Sequence, residues 1–167
     1  TDELEGWWRY LSEAAVPMVH EFEPAENRPH QGFVAVDPEG YYLEFERFEP
    51  HPENERLLPA LDELDPVYPD SGADTPRPAE LGVRATVLWL YYADTSSANA
   101  FWTDLLESTP IVDQGWAWAY RSSPSGFIGV VDGARGLHEA VADKSVTVSF
   151  LVDDVDAWFE YVRAIDG

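Results

Sequence analysis

Any chemistry this chain performs has to come from carboxylates, four histidines, hydroxyls and aromatic rings, because it contains no cysteine. That excludes a thiolate nucleophile, a disulfide scaffold, a zinc–thiolate site and an iron–sulfur cluster. No two of His20, His30, His51 and His138 stand at the helix or strand spacing that brings metal ligands together. His51 falls in a stretch rich in Pro and acids, and His20 on a short strand could face either way. His138, just ahead of the apolar run 145–152, is the histidine best placed to serve a pocket as base or ligand. Its plainer reading is an exposed loop histidine. No nucleophile elbow, phosphate loop or His-Glu-x-x-His run is present, and no helix follows Gly126, Gly129 and Gly133 as a dinucleotide fingerprint requires.

The alternating aromatics are more informative. Side chains two apart on a strand share a face. That puts Val87, Trp89 and Tyr91 together, Trp116, Trp118 and Tyr120 together, and Thr147, Ser149 and Leu151 together. Turned into a pocket, these faces give apolar walls with a few polar anchors, as a small, partly apolar ligand needs. Turned toward helices, the same rings fill a core seam. Arg84 and Arg121 are scarce cations, and Arg121 could pair with a ligand carboxylate or with a surface acid.

The elements that would position these residues can be read in order. Leu4, Trp7, Trp8, Leu11 and Ala14 recur at helical spacing over 2–15, with Asp2 and Glu5 as N-terminal cap and Val16-Pro17 as the stop. Strands follow at Met18–Phe22, Gly32–Val36 and Tyr41–Phe48, the last two joined by the turn Asp37-Pro38-Glu39-Gly40. Residues 49–80 read as a Pro- and acid-rich linker with one helical stretch, Glu55 to Glu63. Val83–Tyr92 is an apolar strand, and Asp94-Thr95-Ser96-Ser97 caps a helix running to about Glu107. Strands are expected at 109–113, 115–121, 126–131 and 145–152, then a helix from Asp153 or Asp154 onward.

The chain also echoes itself. Glu3-Leu4-Glu5-Gly6-Trp7-Trp8-Arg9-Tyr10-Leu11 reads like Asp154-Val155-Asp156-Ala157-Trp158-Phe159-Glu160-Tyr161-Val162, 151 residues later. Asp37-Pro38-Glu39-Gly40-Tyr41 reads like Ser123-Pro124-Ser125-Gly126-Phe127, 86 residues later. Repeats of this kind indicate a modular fold. The expected parts are the end of one module at 1–48, a linker at 49–80, a complete strand–helix–three-strand module at 81–135, and the start of another at 136–167.

Composition bounds the partners. A chain of 167 residues, 45% hydrophobic, with seven Trp, eight Tyr and eight Phe can fill a core. Its formal net charge of -22 opposes nucleic acid and anionic membranes as partners. Nine Arg and a single Lys, Lys144, among so many acids match a protein of a high-salt cytoplasm. No apolar run reaches the ~20 residues of a membrane span. The expectation is a soluble, cytoplasmic protein.

The element order, Asp37-Pro38-Glu39-Gly40-Tyr41-Tyr42-Leu43-Glu44-Phe45, Tyr92-Ala93-Asp94 with Ala100-Phe101-Trp102, and Phe150-Leu151-Val152-Asp153-Asp154-Val155-Asp156-Ala157-Trp158 together resemble the vicinal oxygen chelate superfamily. That superfamily includes glyoxalase I, bleomycin-resistance proteins and extradiol dioxygenases. The resemblance implies an α+β fold in which paired βαβββ modules form a cupped mixed sheet around a small molecule, here with a chain that begins and ends inside a module. It implies a divalent metal held by His on first strands and Glu on last strands, with Glu44 at the final-Glu position. The other positions depart: Val87 and Thr147 stand where first-strand ligands belong, and Val130 where the sister carboxylate belongs.

Besides a degenerate half retained for packing or dimerisation, two functional classes stay open on this reading. One is a metal-assisted lyase, isomerase or dioxygenase with Glu44 as ligand and His138 as catalytic group. The other is a metal-free module that sequesters a small molecule against Trp89, Tyr91, Trp118, Tyr120, Arg121, Thr147 and Ser149. A neutral or cationic ligand suits the acidic surface. Pairing as a homodimer, or with a second module of a longer chain, is expected in either case.

Overall fold

The computed structural model describes residues 3–70, 74 and 76–165; the cap expected at Asp2 lies outside them. The fold is α+β with two separate sheets, one of three strands and one of four, in place of the single cupped sheet expected.

Helix α1 (Leu4–Glu13) follows from the apolar spacing, and it buries Leu4 and Trp7 against Phe33, Ala35 and Leu81. Trp7 lies 5.0 Å from the Phe45 ring and donates its indole N–H to the Gly82 carbonyl at 3.2 Å. The helix stops where Ala15 turns left-handed (φ 57) ahead of Val16-Pro17, which cannot continue it.

The chain then forms an antiparallel meander of β1 (Met18–His20), β2 (His30–Val36) and β3 (Tyr42–Phe48), in the order β1-β2-β3. The first strand is shorter than expected, and its register shifts between Met18 and His20. The β2–β3 turn is fixed locally. The Asp37 carboxylate accepts from the amides of Glu39 (2.9 Å) and Tyr41 (2.8 Å), and Gly40 takes the positive φ of 96° that the reversal requires. Pairing of Phe33 with Phe45 and Ala35 with Leu43 sets one face under α1, and Val34 with Glu44 sets the other.

Residues 49–70 carry a 3-10 turn (Pro52–Asn54) and a short helix α2 (Leu57–Asp62). Asn54 is fully buried, and its side-chain amide donates to the carbonyls of Pro29 and Glu49, pinning this stretch to the strand ends. Arg84 donates to the Leu64 carbonyl at 2.6 Å, satisfying an acceptor just beyond α2.

The second sheet contains β4 (Thr86–Tyr92), β5 (Pro110–Asp113), β6 (Ala117–Arg121) and β7 (Gly126–Asp132), in the order β4-β7-β6-β5. Bonds from the Thr86 amide to the Ser125 carbonyl and from the Gly133 amide to the Tyr92 carbonyl mark β4 and β7 as parallel. Between β4 and β5, α3 (Thr95–Ala100) runs into a π-helical turn at Phe101–Leu105. Asp94 caps α3 by accepting from the Ser97 amide (3.1 Å) and hydroxyl (2.7 Å), and these bonds hold its carboxyl below the usual range.

Residues 145–152, expected as a strand, have no regular secondary structure and belong to neither sheet. The composition is strand-like, but a strand is stable only when its backbone groups find a ladder partner, and none is provided among the described residues. Helix α4 (Val155–Ile165) follows, with the Asp154 carboxylate accepting from the Ala157 amide at 2.8 Å.

The chain divides into two compact units. One takes residues up to 88 with 122–127; the other takes 89–121 with residues from 128 onward. No helix among the described residues is long and apolar enough to cross a membrane.

Candidate functional site

The most developed group of chemistry-bearing side chains lies in the second unit, around the C-terminal half of β4. The Trp89 indole lies against Gly129 of β7: a Cβ there would stand 1.9 Å from the ring. Glycine is therefore what lets the ring cover the sheet, as glycine within a strand often signals. Two residues on, Tyr91 packs beside Val131 and Gly136, where a Cβ would fall 2.5 Å from its ring. His138 meets Tyr91 edge-on, with ring centroids 5.1 Å apart and planes at 88°. Lys144, the single lysine, donates to the Tyr91 carbonyl at 3.0 Å. Trp89 and Tyr91 are half-buried while His138 and Lys144 are exposed. The group is thus an aromatic floor with an imidazole and an ammonium at its rim, able to stack a planar ligand and hydrogen-bond its edge.

The other expected site residues are placed as follows. Tyr120 is buried on β6, stacks on Trp102 at 5.8 Å and donates its hydroxyl to the Asn99 side chain at 2.8 Å. Burial, and to a lesser degree the Asp113 carboxylate, push its pKa up. Trp118 and Arg121 are half-buried on the same strand. Thr147 and Ser149 are exposed on the unpaired stretch 145–152. Trp116, just outside β6, lies under Arg135 at 5.2 Å. Of the expected pocket residues, Trp89, Tyr91 and His138 are therefore brought together around contacts with Gly129, Gly136 and Lys144.

Glu44 lies in the first unit, registered opposite Val34, on the sheet face away from α1. Alternation puts Tyr42, Glu46 and Phe48 on the same face. The protein around the carboxyl disfavours its charge and pushes its pKa to about 7, although solvent still reaches the exposed side chain. His30 comes within 3.9 Å of Glu46, and burial lowers its pKa, with Glu53 opposing and Arg28 adding to the shift. Among the described residues, no three His, Asp or Glu side chains converge to hold a metal ion.

A shallow groove of about 300 Å³ lies between the end of the π-helical turn and α4, lined by Leu105, Leu106, Glu107, Ala157, Trp158 and Tyr161. Tyr161 closes one side by donating to the Leu105 carbonyl at 2.6 Å. None of the residues expected as catalytic, pocket or metal-binding lines it, and it lacks a convergent set of polar anchors, so the Trp89–Tyr91 group is the better candidate.

Gly129, Gly136 and Lys144 were not marked by sequence as site residues. Gly129 did carry a signal, as a lone glycine inside an apolar strand. The Gly136 contact depends on how the 133–144 loop folds back.

The fold and site define a small α+β protein with an aromatic, partly exposed platform. No family model and no curated protein matches the chain. The likeness to the vicinal oxygen chelate superfamily accordingly rests on the quoted residues and the element order.

Proposed function

We propose that this protein binds a small planar molecule, neutral or cationic, on the Trp89–Tyr91 floor without using a metal. The observation that carries the reading is the seating of Trp89 on Gly129 with Tyr91, His138 and Lys144 beside it. The ring is held ready to stack, so little side-chain entropy is lost on binding. His138 and Lys144 supply exposed polar atoms at the rim, and the net charge of -22 favours ligands that are not anionic. The likeness to bleomycin-resistance proteins supports sequestration in particular.

A second reading is a metal-assisted lyase, isomerase or dioxygenase. It has Glu44 in its favour, a carboxyl with a pKa near neutrality at the family's ligand position, and it needs further donors beside that residue.

Titration of intrinsic Trp fluorescence with a panel of neutral and cationic aromatic compounds tests the first reading. Tyr91→Ala should weaken any saturable binding roughly fivefold, the effect of losing about 1 kcal/mol of ring contact. Binding that survives Tyr91→Ala and His138→Ala unchanged would place the site elsewhere. Near-stoichiometric divalent metal in protein purified without a His-tag, lost in Glu44→Ala, would replace the first reading with the second.

A further inference from the structure

Lys144, the single lysine, stands at the rim of the Trp89–Tyr91 floor and donates to the Tyr91 carbonyl at 3.0 Å. The preceding loop delivers it there. The Gly133 amide donates to the Tyr92 carbonyl at 3.0 Å, and the Arg135 and Gly136 amides each donate to the Asp132 carbonyl at 3.0 Å. The loop then doubles back. A Cβ at Gly133 would stand 2.5 Å from the Ala140 amide nitrogen, and Gly136 packs on Tyr91 and Val131. A lysine ordinarily loses much rotamer freedom when it engages a ligand. Here the bond to Tyr91 has already placed the ammonium, which lowers that cost.

The chemistry of the rim selects what can sit on the floor. An ammonium has three N–H donors and no acceptor. One bond to the Tyr91 carbonyl leaves two donors, and Lys144 is exposed, so a ligand edge facing it has to offer an acceptor. His138, edge-on to Tyr91 at 5.1 Å, is less selective, because a neutral imidazole carries both a donor and an acceptor. Charge narrows the choice further. Residues 133–144 hold two bases, Arg135 and Lys144, against two acids, Glu139 and Asp143. The loop is therefore neutral in a chain of net charge -22, and its ammonium repels a cation brought directly beside it. An anion is opposed by the chain as a whole. A carbonyl oxygen on an uncharged ring meets neither penalty and accepts a charge-assisted hydrogen bond.

We propose, resting on the reading of Trp89 and Tyr91 as a ligand floor, that Lys144 sets the specificity of that floor. The ligand is an uncharged planar ring with a carbonyl oxygen on its edge. The ring stacks on Trp89 and Tyr91, and the oxygen accepts from the Lys144 ammonium. Of the neutral and cationic molecules that the acidic chain admits, the rim thus takes the neutral ones that bear an acceptor.

Isothermal titration calorimetry at constant high salt tests this with three probes of one ring size: coumarin, which has the carbonyl; naphthalene, which has no polar group; and N-methylquinolinium, which is cationic. The wild-type chain should bind coumarin about tenfold more tightly than naphthalene, the gain from one hydrogen bond to a charged donor, and should bind N-methylquinolinium more weakly than coumarin. Lys144→Met keeps an apolar stem and removes the donors. It should weaken coumarin to the level of naphthalene and leave naphthalene unchanged. Lys144→Arg, which brings donors back, should recover most of the preference. A coumarin preference that survives Lys144→Met would overturn the role of Lys144, as would N-methylquinolinium bound as tightly as coumarin. Loss of naphthalene binding in Lys144→Met would overturn it too, because the lysine would then only hold the floor together. Tyr91→Ala separates this failure from that of the floor: if no probe binds, or all bind wild type and Tyr91→Ala alike, the floor itself is refuted and its specificity with it.

Discussion

Glu44→Gln should make the protein more stable at alkaline pH and leave it unchanged in acid. The carboxyl has a pKa near 7 in the folded protein against 4.5 ordinarily, because its surroundings disfavour the charge. A carboxyl whose folded pKa is raised contributes stability that is fully present below the unfolded value and is lost as pH rises through the folded one. The window is therefore pH 4.5 to about 7. In a dry site the shift would correspond to roughly 3 kcal/mol. Solvent reaches the exposed Glu44 side chain, so screening reduces the expected effect to about 1 kcal/mol. Urea denaturation of both proteins at a series of pH values, in constant high salt, isolates this contribution from the general repulsion of the acidic chain. Glu44→Gln should match wild type near pH 4 and exceed it by about 1 kcal/mol at pH 8. Parallel curves across the whole range would refute the reasoning, because Glu44 would then titrate alike in the folded and unfolded states.

Two further outcomes follow from close packing. Gly129→Ala should destabilise the protein by about 1–3 kcal/mol in chemical denaturation, since the Trp89 ring must move away from the new methyl; it should also shift the Trp fluorescence and weaken ligand binding in parallel with Tyr91→Ala. Asn54→Ala should cost about 1–2 kcal/mol in the same assay, because the Glu49 carbonyl loses its side-chain donor while the Pro29 carbonyl keeps only the Glu49 amide, and unchanged stability would show that water replaces the lost amide.

Much of the fold was legible because its determinants are local. The apolar spacing of Leu4, Trp7 and Leu11 makes α1 wherever it packs, and Asp94 and Asp154 start their helices with bonds to amides three residues on. Asp37 and Gly40 make their turn from their own side-chain and backbone chemistry. The aromatic alternation on β4 likewise marks Trp89 and Tyr91 as sharing one strand face.

What sequence alone could not decide depends on groups distant along the chain. Strand propensity at 145–152 does not make a strand, because backbone hydrogen bonds need a neighbouring edge, and none among the described residues pairs with this segment. Trp118 and Tyr120 alternate as Trp89 and Tyr91 do, yet Tyr120 is core, stacked on Trp102 and bonded to Asn99. Trp89 is seated by Gly129, and Tyr91 is met by a histidine 47 positions later. Periodicity and capping thus settled which segments are helices and most of the strands. Only the tertiary arrangement decided which strand faces are core and which rings remain open to a ligand, because burial is a property of the neighbours that the fold supplies.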